Sequence, residues 1–161
     1  MSNIGSYDER LKNFSWSIAE KELGYKPGDV INIGWYCTDR ICQQGKGSKI
    51  ALHWEGFTGA EKTYTYNDIR LASNTIGAFL RGLGLKDGER ICLFMDKIPE
   101  LYLGFLGILK IGAIAQPLFS AFGDESLLVR LANAETSAVI TQKKHAPRSG
   151  RSSTSCPISS T

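Results

Sequence analysis

Three stretches carry residue types that could do chemistry. Asp96, Lys97 and Glu100 follow the apolar run "RICLFM" at 90–95, which reads as a strand, and open α/β sheets bind ligands at the carboxyl ends of their strands. These groups could reach a substrate. Capping accounts for both carboxylates without one, and it is the expectation: Asp96 as the cap of the following helix, and Glu100 on its N-terminal dipole. "QPLFSAFGDES" at 116–126 leaves a second apolar run and enters a second helix, with Ser120 and Gly123 allowing close backbone approach. An anionic or nucleotide ligand could dock there, although a plain βα loop with Asp124 as N-cap would carry the same residues. His145, beside Lys143 and Lys144, shows no acidic partner or nucleophile nearby, so general-base work is unsupported.

Two segments imitate phosphate loops. "QGKGSK" at 44–49 places Gly47 after Lys46, lacks the earlier glycine, and precedes a strand instead of a helix, so it reads as a surface turn. "SGRSSTS" near the end lacks a following lysine and helix and is read as low-complexity linker. The cysteines at 37, 42, 92 and 156 form no C-x-x-C pair, and His53 and His145 lie far apart, so no metal site is expected and the thiols are read as reduced. No signal peptide and no run of roughly 18–20 apolar residues is visible. The net charge of +3, concentrated in Lys143, Lys144, Arg148 and Arg151, is too small and too local to argue for nucleic acid. The expectation is a cytoplasmic protein with neither a membrane nor a nucleic-acid partner.

The elements that must position these groups follow from hydrophobic period. Residues 1–47 read as a helical N-terminal segment: Phe14, Ile18 and Leu23 form a loose stripe ending at Gly24, and "INIGWYCTDRICQQG" forms a second helix ending at Gly45, with Trp16, Trp35 and Tyr36 packing on a core. "KIALHWEG" and "KTYTY" predict a hairpin. Thr65 and Asp68 then open the clearest helix, with Ile69, Ala72, Ile76, Phe79, Leu80 and Leu83 on one face and Gly84 at its end. From 90 onward "RICLFM", a helix over 99–111, "AIAQPLF", a helix with Leu127, Leu128, Leu131 and Ala134 inward, and "SAVIT" alternate as β-α-β-α-β. Short apolar strands joined by helices imply an α/β fold with a parallel sheet covered on both faces. The helix over 99–111 is apolar nearly all round and demands neighbours on every side.

"KTYTYNDI", the helix after it, and above all "LYLGFLGILKIGAIAQPLFSAFGDESLLVRLANAETSAVIT" resemble the N-terminal portion of the AMP-forming acyl-CoA synthetases of the adenylate-forming superfamily, with acetyl-CoA synthetases the nearest likeness. The likeness covers about residues 30–146. It implies a partial N-terminal domain at 48–146, in an architecture of two related sheets and a mobile C-terminal domain. It also implies ATP, CoA and Mg²⁺ as cofactors of the intact family, none of which this fragment is expected to bind fully, and a small carboxylate as substrate: the carboxylate attacks the α-phosphate to give an acyl-AMP, and the CoA thiol displaces AMP. By resemblance Phe119, Ser120 and Ala121 lie where relatives approach the CoA nucleotide. Relatives also use arginines just after the third strand on the CoA phosphate side, and there this sequence departs. No Ser/Thr/Gly loop ending in Pro-Lys-Gly and no downstream catalytic lysine of the family occurs in the chain, so no catalytic residue and no metal ligand is assigned.

Residues 147–161 are serine-rich and differ from what precedes them. Read from the third base of the Pro147 codon, permitted codons allow "EVRKILDKLPYLK", an amphipathic continuation of family type. The expectation is a frameshift near codon 147 and a truncated acetate–CoA ligase that is inactive alone and able to associate with a full-length synthetase. Sequencing the locus in every frame tests it, since a downstream region without family-like sequence removes the idea. The alternative is a standalone CoA-binding or synthetase-interacting domain without catalysis.

Overall fold

The computed structural model describes residues 5–146, so the serine-rich segment from 147 lies outside the described residues. The chain divides into two compact units between Ile31 and Asn32. The first holds helices α1 (Tyr7–Lys12) and α2 (Trp16–Leu23), the latter ended by Gly24 at φ 69°. Trp16 is 76% exposed and stacks edge-on with Phe14, so it does not pack in a core as the sequence suggested.

The second unit begins with α3 (Ile33–Cys37), α4 (Asp39–Ile41) and a π-helical turn (Cys42–Lys46). The single helix expected here is broken at Thr38, whose backbone leaves the helical region (φ −129°, ψ −75°). Its buried hydroxyl donates to the Gly34 carbonyl at 2.7 Å. Helix α3 packs on the helix that follows the first parallel strand. Gly34 makes that approach possible: a Cβ there would meet the Leu106 carbonyl at 2.8 Å.

Strands β1 (Ile50–Glu55) and β2 (Glu61–Thr65) pair antiparallel. Helix α5 (Tyr66–Gly82) starts on a reciprocal capping box: the Thr65 side chain accepts from the Asp68 N–H, and Asp68 accepts from the Thr65 N–H. "QGKGSK" is a turn feeding β1, with the Gly47 carbonyl accepting from the Asn67 N–H.

The remaining elements form the parallel α/β unit: β3 (Arg90–Met95), α6 (Pro99–Lys110), β4 (Ile114–Phe119), α7 (Asp124–Asn133) and β5 (Ala138–Thr141). The strand order is β4-β3-β5, all parallel. Alternate β3 residues serve opposite faces, as the two-residue period of a strand requires. Ile91, Leu93 and Met95 pack with Leu80 of α5 and Ile108 of α6, whereas Cys92 and Phe94 pack with Leu127 and Leu131 of α7. Central β3 is buried from Ile91 to Met95 for that reason. Pro117, which has no N–H to give, sits in edge strand β4.

Two faces differ from the periodicity reading, on α5 and on α7, where Leu127 and Leu131 are buried but Leu128 is exposed because it turns away from the sheet. Phe79 and Leu83 point outward on α5, and the inner face is Ile69, Ser73, Gly77 and Leu80. Helix α6 finds its neighbours in the sheet, α5 and α3.

Candidate functional site

The strand order turns at β3. From β3 the chain moves out to β4 by way of α6 on one face, then returns across β3 to β5 by way of α7 on the other. Loops leaving the carboxyl ends of these strands therefore diverge to opposite faces, and such a switch point is where open α/β sheets place ligands. The register Phe94↔Thr141 and Met95↔Phe119 brings residues 96–98, 119–123 and 142–145 to that one edge.

Asp96 is the centre of the edge. Its carboxylate pairs with the Lys144 ammonium and lies 3.1 Å from His145 Nε2, and the Ser120 side chain helps to hold it ionised. Its backbone N–H donates to Gln142 Oε1 at 2.9 Å. Bonds from Lys144 first, then Ser120 and His145, hold the Asp96 carboxyl well below the usual carboxylate range against a smaller opposing effect of burial. Asp96 therefore stays ionised throughout the neutral range. It does not cap α6, whose N-cap is Ile98 with no side-chain bond and whose first turn begins at Pro99. His145 has the acidic partner that its own neighbourhood in sequence lacks. Its largely buried ring also stands 5.4 Å from that of Phe94.

Two further bonds tie the edge together. Thr141 Oγ1 donates to the Phe94 carbonyl at 2.6 Å, and Trp54 Nε1 donates to the Lys97 carbonyl at 2.7 Å. The residues expected on the CoA side lie here as well. Phe119 is 63% exposed and meets Phe122 edge-on at 5.9 Å, while the Arg130 guanidinium lies 4.1 Å from the Phe122 ring centre. Ser120 is half-buried and Ala121 exposed. Gly123, not Asp124, is the N-cap of α7, which shifts Asp124 into its first turn.

Chemically the edge combines one ionised carboxylate, the basic side chains of Lys97, Lys143 and Lys144, a hydroxyl and an exposed aromatic ring. Ser120 and His145 both act on the Asp96 carboxylate, so the arrangement is a positioning network instead of a serine activated by histidine. A basic edge with an exposed ring fits a phosphate-bearing aromatic ligand. Among the described residues no three His, Cys, Asp or Glu side chains gather as a metal site. No helix among them is long and apolar enough to cross a membrane.

The fold is an α/β unit of the AMP-binding enzyme type. The family model described as AMP-binding enzyme matches residues 39–159, and the chain belongs to that family. The match runs beyond Ala146 into the serine-rich segment, so it does not stop where the composition changes. The chain is 36% identical over 140 residues to the acetyl-coenzyme A synthetase of Bacillus subtilis, covering 86% of this chain and 24% of that protein. It is 34% identical over 156 residues to the acetyl-coenzyme A synthetase of Rubrobacter xylanophilus, covering 91% and 24%. Among solved structures, the Brucella canis acyl-CoA synthetase superposes with a TM-score of 0.82 at 26% identity, covering 94% of this chain and 28% of that one. The fold is shared with an anthranilate CoA ligase in complex with anthranoyl-AMP, at a TM-score of 0.64 and 22% identity over 73% of this chain and 22% of that one. The chain thus spans about a quarter of the length of the curated relatives it matches. The resemblance carried by "LKIGAIAQPL" holds at the level of the family.

Proposed function

We propose that this α/β unit supplies the CoA-side edge of an AMP-forming acetate–CoA ligase, in which acetate, ATP and CoA yield acetyl-CoA, AMP and diphosphate. The observation that carries the reading is the likeness to acetyl-coenzyme A synthetases over most of the chain. It gains support from the position of Phe119, Ser120 and Ala121 at the switch-point edge beside Lys143 and Lys144. The roles follow from chemistry. The Phe119 ring offers an apolar face to a nucleobase, the Ser120 loop approaches the nucleotide closely, and the lysines offset phosphate charge. ATP would supply the adenylyl group for the first half-reaction, with diphosphate as the leaving group, and Mg²⁺ would offset phosphate charge. The residues of this unit are assigned no part in that half-reaction, so the chain by itself binds CoA without forming AMP. A reducing, cytoplasmic setting and association with a full-length synthetase complete the proposal.

Two measurements on the purified 161-residue chain test it: calorimetric titration with CoA, and AMP formation in the presence of acetate, ATP, Mg²⁺ and CoA. Saturable CoA binding without AMP formation is the expected result. AMP formation by the chain alone would overturn the division of labour, and failure to bind CoA would overturn the assignment of the edge.

A further inference from the structure

Asp96 faces two separate segments, the loop after β4 and the turn beyond β5. Ser120 belongs to the loop after β4, while Gln142, Lys144 and His145 belong to the turn after β5. These partners are remote in sequence, His145 lying 49 positions from Asp96. The side chain of His145 is only 14% exposed, so the histidine side of its bond to Asp96 is shielded from water while the carboxylate keeps some contact with it. Ionised carboxylates accept several charge-assisted bonds at once, which a neutral side chain of the same shape cannot do. A charged acceptor at the end of the most deeply buried strand is thereby a group common to two otherwise separate surface segments.

We propose that Asp96 is a positioning residue that couples the loop 119–123 to the turn 143–146, fixing both against the end of β3 so that the edge presents a single ligand-ready shape. The carboxylate does not touch the reacting atoms. It acts through Ser120 on one side and through Lys144 and His145 on the other. The consequence for CoA rests on the function proposed above, while the coupling itself does not.

Hydrogen exchange on the full chain reads the coupling directly. Asp96→Asn keeps the shape and removes the charge, and it should speed exchange about tenfold in both 119–123 and 143–146 while protection of Ile91–Phe94 is unchanged. Asp96→Glu, which restores the charge, should recover part of that protection. Lys144→Gln, a milder variant that keeps the fold if Asp96→Asn does not, should loosen 143–146 alone, because Ser120 keeps its acceptor. Unchanged exchange in either segment of Asp96→Asn, or a uniform rise that includes β3, would overturn the proposal, as would equal loosening of both segments in Lys144→Gln. Titration of the same variants with CoA separates the two readings. Weaker CoA binding in Asp96→Asn with restoration in Asp96→Glu supports both. Loosened segments in a chain that never binds CoA retain the coupling and remove the proposed function.

Discussion

The ammonium of Lys110, near the end of α6, lies 2.6 Å from a carboxylate oxygen of Asp39 in α4, with side chains only 9% and 18% exposed. Lys110 also donates to Asn74 Oδ1 of α5 at 2.7 Å, and Thr38 Oγ1, 2.7 Å from the Gly34 carbonyl and 2.8 Å from an Asp39 carboxylate oxygen, shares its one proton between them. Burial alone would raise the Asp39 carboxyl, but bonds from Lys110 and Thr38 outweigh it and hold the group below its ordinary value. One charge pair therefore joins α4, α5 and α6. Removing a single member leaves the other charge in a poorly hydrated place. Lys110→Met should destabilise the chain by roughly 3 kcal/mol, at the low end for a buried pair because the carboxylate keeps some solvent. The double variant Lys110→Met with Asp39→Leu should recover much of that loss. Urea unfolding midpoints decide it, and equal losses in the single and double variants would show that the pair does not bear this load.

The α5–α6 contact gives a prediction of opposite appearance. A Cβ on Gly107 would stand 2.9 Å from the Ser73 carbonyl oxygen and 2.9 Å from Ile76 Cγ2. A backbone carbonyl cannot swing aside as a flexible side chain can. Gly107→Ala, worth about 1 kcal/mol in helix propensity, should nonetheless destabilise by about 1–2 kcal/mol through overpacking. Gly82→Ala, at the end of α5 where a Cβ meets nothing within 4 Å, should be neutral or stabilise by up to about 1 kcal/mol. Thermal melts of the two variants should move in different directions.

That same seam explains what the sequence could and could not disclose. Pro99, the Thr65/Asp68 pair and the short apolar runs are local signals, and the elements they announce occur where expected. Phe79 and Leu83 misled because the inner face of α5 includes Ser73 and Gly77, whose small size lets the helices approach. Hydrophobic period cannot register such a seam. Ser73 meets its own polar need by donating to the Ile69 carbonyl at 2.6 Å. Asp96 was hidden for a different reason. Its partners lie at 120 and 144–145, and only the parallel register of β3 with β4 and β5 brings those positions together. The β-α-β-α-β pattern held the clue, since parallel strands put all their carboxyl ends on one edge.

Burial makes Cys92 chemically quiet. The side chain is fully buried in β3, and desolvation pushes its thiol up to about 12. Cys37 is exposed. Iodoacetamide at mildly alkaline pH should label Cys37 and spare Cys92 until denaturant is added, as read by peptide mass spectrometry. The sign of the pH effect follows from linkage. A thiol whose folded value is raised contributes stability that is fully present below its unfolded value, about 8.5. That contribution is lost as pH rises from there toward the folded value. The unfolding midpoint should accordingly fall on the alkaline side, and Cys92→Ala should flatten that fall while lowering stability at neutral pH. Rapid labelling of Cys92 in the native chain would contradict the buried assignment.

At the opposite end of the sheet a glutamate occupies a glycine's place. Helix α7 closes with Thr136 N–H on the Leu131 carbonyl and Glu135 N–H on the Ala132 carbonyl, the paired bonds of a Schellman motif, and Glu135 has φ 48°. A side chain in that region costs about 1–2 kcal/mol. Arg90 supports the arrangement: Nε donates to the Ala134 carbonyl at 2.7 Å, and a terminal nitrogen donates to the Glu135 carbonyl at 2.9 Å. The accompanying ion pair with Glu135 lies mostly in solvent, with the carboxylate 83% exposed, and contributes little. Glu135→Gly should therefore stabilise the chain by about 0.5 kcal/mol, the relief of strain exceeding both the lost ion pair and glycine's greater freedom when unfolded. Arg90→Met should destabilise, because the carbonyls at the end of α7 lose their donor. Combining the two shows which contact matters. If Arg90 acts on the backbone, Arg90→Met costs nearly as much in the Glu135→Gly background as with Glu135 in place, whereas a cost confined to the glutamate background would assign its role to the ion pair.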